Sequence, residues 1–242
     1  MNERSRHFLP LVVTLVVLGV IGMFLLRVVR VYNGIQRGET ENTFNTNFQN
    51  ALTTSSRLAQ IVESTDPLIV MDVATDDDPS IGEPDAKLTI VEFADFGCPY
   101  SREASFSIRA LALTYADRIQ FIYRDFPITE LHPDAQMVAE AGECAREQSD
   151  QKFWAYHDIL YQNQQDLTRP ALREYARSVG LDVSKFDQCL ASGRYRSEVL
   201  NDFQDGVDAG VVGTPTFFFN GQRVAGAIPI ETLRLIIDAY LK

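Results

Sequence analysis

Cys98-Pro99-Tyr100-Ser101 stands between an apolar, β-rich run, Leu88–Phe93 (LTIVEF), and a stretch of helical composition. A cysteine at a strand-to-helix junction faces the unsatisfied N–H groups of the helix and the positive end of its macrodipole. Pro99 suits the first helical position, where no N–H is needed. Such a setting lowers a thiol pKa from about 8.5 and makes the sulfur a nucleophile near neutral pH. The chemistry on offer is thiol–disulfide exchange. Three residues on, where a redox pair would carry its second thiol, the chain has Ser101, which forms no disulfide. A lone cysteine is also a common small core residue, so these four residues alone leave a reactive and a packing role open.

A second candidate is Gly213-Thr214-Pro215-Thr216, which precedes an apolar run. Proline before a strand often marks only a boundary. In a fold with a cysteine at a helix start, it can instead be a cis proline whose flanking backbone lines the site. The remaining cysteines, Cys144 and Cys189, fall on two expected helices. His132, before Pro133, and His157, among aromatic residues, read as cap and core residues. Three His and no Cys/His cluster at ligand spacing argue against a dedicated zinc site.

The elements that must position these groups read as follows. Pro67–Val73 (PLIVMDV) is a candidate first strand, and Asp76–Ala86 is rich in turn residues. Lys87–Phe93 is a strand, apolar without alternation and so buried on both faces. Ser101–Asp117 is helical, and Ile119–Tyr123 is the next strand. From about 130 to 210 the pattern is helical throughout. Strand character returns over Thr216–Gly226, where Asn220-Gly221 is a two-residue hairpin turn. Pro229–Leu241 closes as an amphipathic helix. The order β-α-β, helices, β-hairpin-α specifies an α/β protein with a helical insertion.

Ahead of this body, Phe8–Leu26 is a run of nineteen uncharged residues. As a helix it spans about 28 Å, close to the roughly 30 Å hydrocarbon core of a bilayer. A cleavable signal would have a shorter apolar region and a small-residue cleavage site, whereas Arg27 and Arg30 follow here. Residues 1–32 are therefore expected to form a single transmembrane anchor. Arginines flank both of its ends, so charge alone does not orient it. Residues 33–66 are a polar stalk, either a solvated linker or in part an amphipathic helix through Phe44, Phe48 and Leu52. The chain carries a net charge of −11, with +3 in residues 1–40 and −14 beyond. So acidic a body repels nucleic acid.

VEFADFGCPYS, YRDFP, HPDAQ, the KFW-x-YHD block, KFDQCL and VVGTPTFFFNG together resemble the DsbA-type branch of thioredoxin-fold thiol–disulfide oxidoreductases. The match runs in order over residues 67–242. The resemblance implies a thioredoxin fold with an inserted helical domain, no cofactor, and a groove for protein thiol or disulfide substrates. It implies Cys98 as attacking cysteine and Pro215 as cis proline, with Thr214, Pro99 and Tyr100 lining the substrate contact. Glu92, six residues before Cys98, matches a buried acid that assists proton transfer; an edge-facing strand charge is the other reading. Ser101 is the departure. The resolving cysteine is missing, so the resolving thiol must come from substrate, small thiol or partner protein, as monothiol glutaredoxins manage with C-x-x-S.

An odd cysteine count in an exported protein leaves one thiol free, and pairing Cys144 with Cys189 leaves Cys98. Such a bridge argues for an oxidising compartment. That places the thioredoxin domain outside the bacterial inner membrane, with the N-terminus cytoplasmic. The alternative function is a binding or redox-sensing module that does not turn over.

Overall fold

The computed structural model describes residues 73–75 and 77–242. The anchor expected over 1–32 and the stalk over 33–66 lie outside the described residues. Among those described, no helix is long and apolar enough to cross a membrane.

The centre of the fold is a five-stranded sheet in the order β1-β3-β2-β4-β5. Strand β2 (Leu88–Ala94) lies parallel to β3 (Ile119–Asp125), from Leu88 opposite Ile119 to Ala94 opposite Asp125. On its other side β2 pairs antiparallel with β4 (Thr216–Phe219), Glu92 opposite Phe217. The uninterrupted apolar character of β2 reflects this central place, where both faces are covered. Strand β5 (Gln222–Ala225) returns along β4 through Asn220 and Gly221, whose φ values of 47° and 80° suit the primed turns of tight hairpins. The Asn220 side chain also accepts from Thr89 N (2.8 Å) and donates to Lys87 O (3.0 Å), tying the turn to the start of β2.

The expectation of a first strand at Pro67–Val73 needs correction where it can be seen. Val73 is buried but not in a strand, and residues 67–72 lie outside the described residues. Strand β1 (Ser80–Gly82) instead sits inside the turn-rich stretch and adds antiparallel to the outer edge of β3. Three residues are too few to carry a period-2 pattern; the pairing with β3 makes the strand.

Helix α1 (Pro99–Thr114) connects β2 to β3 and buries Ser101, Ala104, Ser105, Ile108, Leu111 and Ala112, the 3–4 spacing of one helical face. Between β3 and β4 come α2 (Ala135–Arg146), α3 (Asp150–Gln162), α4 (Arg169–Ser178), α5 (Val183–Ser192) and α6 (Arg196–Asp208). Helix α7 (Ile230–Leu241) ends the chain and packs on α1 and β2. The helical insertion thus falls where the sequence places it. A disulfide joins Cys144 of α2 to Cys189 of α5, closing a separation of 45 residues.

Two aromatic groups fix the sheet. Phe93 meets Phe126 and Phe218 edge-on at 6.3 and 5.7 Å between ring centres. Phe96, Tyr123, Phe153, Trp154 and Tyr161 surround His157, which is buried, with its pKa lowered by loss of solvent. The core role read for His157 holds. Arg124 is buried at the end of β3 and binds Asp78 (3.0 Å) and Asp205 (2.8 Å) as well as Asp202. It also donates to Val73 O (3.4 Å). One guanidinium therefore ties the segment before β1 to β3 and α6.

Candidate active site

The chain leaves β2 at Ala94 and turns through Asp95-Phe96-Gly97 before α1 begins. Cys98 is the N-cap of α1, with extended backbone (φ −79°, ψ 123°), and Pro99 occupies the first turn. Cys98 is 6% exposed, and its thiol donates to Thr214 O at 3.2 Å. The Thr214–Pro215 peptide is cis. The sequence pair CPYS and GTPT, 116 residues apart, is thus one place in space. Tyr100 is 62% exposed beside it.

Ser101 faces inward from the first turn of α1 and is buried. Its hydroxyl accepts from Asp95 N at 3.4 Å, a long hydrogen bond. Cys144 and Cys189 are bonded to each other and buried, so Cys98 is the free thiol.

Glu92 lies in the centre of β2 between Tyr123 of β3 and Phe217 of β4. Its side chain has no solvent exposure and neither oxygen has a hydrogen-bond partner. Burial alone pushes its pKa up to about 8. It therefore holds its proton at neutral pH. The reading of Glu92 as an edge-facing strand charge is overturned: β2 is central, and the carboxyl is inside. Tyr123 and Tyr161, whose hydroxyls pair at 3.2 Å, are likewise pushed well up by burial.

Three positioning residues escaped the sequence reading. Asp95 Oδ1 accepts from Gly97 N (2.7 Å) and Oδ2 from Ile128 N (2.9 Å), while its carbonyl accepts from Cys98 N (2.9 Å). His132 Nδ1 lies 2.8 Å from Asp95 Oδ2, so His132 serves this turn as well as preceding a helix. Gln164, in the loop after α3, donates to both Phe96 O and Cys98 O at 2.8 Å. An aspartate two residues before a glycine is a recognisable turn signal that could have found Asp95. Nothing near Gln164 in sequence points to Cys98, 66 residues away.

A cysteine capping the helix after the central strand, facing a cis proline just before the neighbouring antiparallel strand, defines a thioredoxin-type fold. The helices between β3 and β4 are its insertion. Residues 74–239 match the family described as Thioredoxin. The chain belongs to that family.

Among curated relatives, Na(+)/H(+) antiporter NhaA 3 of Salinispora tropica is 39% identical over 165 residues, 68% of this chain and 25% of that protein. Na(+)/H(+) antiporter NhaA of Herminiimonas arsenicoxydans is 34% identical over 158 residues, 65% of this chain and 25% of that protein. The chain spans about a quarter of the length of these relatives.

A thioredoxin-like oxidoreductase from Silicibacter pomeroyi is a structural neighbour, with a TM-score of 0.61 at 26% identity over 69% of this chain and 93% of that one. The catalytic domain of Proteus mirabilis ScsC follows at 0.60 and 23%, over 70% and 93%. The thiol-disulfide exchange protein alpha-DsbA2 from Wolbachia pipientis reaches 0.60 at 18%, over 78% and 95%. The last two share the fold.

Proposed function

We propose that this protein carries out thiol–disulfide exchange through Cys98 alone. The observation that carries the reading is the free thiol at the start of α1, bonded to the backbone of the cis Thr214–Pro215 pair. Cys98 as thiolate attacks one sulfur of a substrate disulfide. A Cys98–substrate bond forms, the substrate bond breaks, and the second substrate sulfur leaves with its electron pair as a thiolate. A thiol from outside then attacks the mixed disulfide and frees Cys98. Ser101 supplies no such thiol, and Cys144 and Cys189 are committed to each other. In this reading Glu92, protonated at neutral pH, is the acid that exchanges a proton with the site.

Protein thiols and disulfides are the substrates in this reading, with Tyr100, Thr214 and Pro215 holding an extended segment. Residues 1–32 anchor the chain in a bacterial inner membrane, with the thioredoxin domain outside; the uncharged run Phe8–Leu26 and the Cys144–Cys189 bridge support this. A second reading, a binding module without turnover, is favoured by exposed apolar side chains next in sequence to residues of the site. Leu131 (70% exposed) adjoins His132, and Val212 (89% exposed) precedes Thr214 by two residues.

Full-length protein mixed with a disulfide-bonded reporter peptide, quenched in acid and mapped by mass spectrometry, decides between them. Peptide on Cys98, released by added thiol, supports exchange. An unlabelled Cys98 in the native chain, with labelling only after Ser101→Cys, leaves the binding module.

A further inference from the structure

A second thiol inside the site would be held beside the mixed disulfide, but an external thiol arrives from solution. At neutral pH an ordinary alkyl thiol is mostly protonated, with a pKa near 8.5 or above, and the thiolate is the attacking form. A monothiol site therefore gains from a base that takes this proton.

Asp95 and His132 form a carboxylate–imidazole pair at the turn that carries Cys98. Asp95 is buried directly after β2, and its carboxylate accepts two backbone N–H groups and meets His132 Nδ1 at 2.8 Å. An acceptor-only carboxylate fixes the hydrogen on Nδ1 and leaves the lone pair on Nε2. The His132 side chain is 23% exposed, and Nε2 has no partner among the described residues. The ring also packs against the residue preceding the nucleophile: a methyl group on Gly97 would sit 2.7 Å from Cβ and Cγ of His132. Only glycine leaves this room. The same Asp95 accepts the Cys98 amide through its carbonyl, so sulfur and imidazole are registered to one buried residue.

We propose that His132, oriented by Asp95, is the base that takes the proton of the external thiol as it attacks the Cys98 mixed disulfide. The proposal rests on the monothiol reading above. In the step, a bond forms between the external sulfur and the substrate sulfur. The Cys98–substrate bond breaks, its electron pair leaving on Cys98 as thiolate, and the thiol proton moves to His132 Nε2. The charged groups on the elements meeting at this corner are Asp95 after β2, Glu130 and Asp134 flanking His132, Arg102 and Glu103 near the start of α1, and Arg124 and Asp125 at the end of β3.

The test uses the full chain loaded at Cys98 with a fluorescent cysteine peptide, and follows peptide release at neutral pH. His132→Gln should release about a hundredfold more slowly than wild type with an alkyl thiol, the lower end of general-base effects. Added imidazole should restore the rate. An aromatic thiol already ionised at that pH should release both proteins equally. Equal rates with the alkyl thiol, or equal slowing with both thiols and no imidazole recovery, overturn the proposal. Wild type gives an independent arm that needs no variant: with its base in place, added imidazole should not accelerate it, and acceleration also overturns the proposal. Failure of wild type to load at Cys98 overturns the monothiol reading itself.

Discussion

Glu92→Gln should make the protein more stable, and more so as the pH rises. In the fold the Glu92 carboxyl has no solvent and no hydrogen-bond partner, and its pKa rises from 4.5 to about 8. In the unfolded chain it ionises near 4.5. Between those values the native state holds a proton that the unfolded state has released. Stability therefore falls as pH rises across this window. The contribution is intact below 4.5 and fully lost above about 8. Each unit costs about 1.4 kcal/mol, which comes to about 3 kcal/mol by pH 7 and about 5 kcal/mol over the whole window.

Glutamine cannot ionise, so it removes this dependence and keeps nearly the same shape. Asp78, raised to about 7, and Asp125, Glu143 and Asp202, also raised by burial, add slopes of the same sign. Those slopes are present in both proteins and cancel in the difference. Urea unfolding of wild type and Glu92→Gln at several pH values from 5 to 9 reads that difference. It should be small at pH 5, grow by about 1.4 kcal/mol per unit, and level off above pH 8. A constant offset would refute the reasoning, because it would mean that the native state solvates the carboxylate. A difference that shrinks with pH would refute its sign.

Replacing Cys144 and Cys189 by alanine should lower stability by about 4 kcal/mol on the loop-entropy estimate for their separation of 45 residues; urea unfolding in a Cys98→Ser background measures it. Arg124→Met should cost about 3 kcal/mol or more at neutral pH, since it leaves buried Asp78 and Asp202 without their cation. That loss should shrink in acid, where both carboxyls are protonated in either state, and the urea midpoint against pH reads it.

Cys98 was legible because several local rules agree on it. A β-rich run, a cysteine and a proline specify a strand, a cap and a helix start, and the structure has all three. The cis proline was legible only jointly, through the combination of GTPT with CPYS. The Cys144–Cys189 bridge came from counting thiols in a chain expected to be exported. What the sequence hid was of another kind. Strand β1 has no pattern of its own and exists because β3 offers an open edge. Gln164 reaches the Cys98 turn from the helical insertion, and such a long-range hydrogen bond leaves no periodicity to read.

Asp95 and His132 show why the insertion matters to the Cys98 turn. Thirty-seven residues separate them, and what brings them together is the parallel run of β2 beside β3, which ends both strands at the same edge. The loop leaving β3 must then pass the turn leaving β2. Ile128 N and His132 both bind the Asp95 carboxylate as it does so. Gln164 closes the opposite side of the turn from beyond α3. Cys98 is thus held by the strand that leads into it, by the entry to the insertion and by a loop within it. Loosening α2 or α3 should therefore disturb the reactivity of Cys98 even where the sheet is intact.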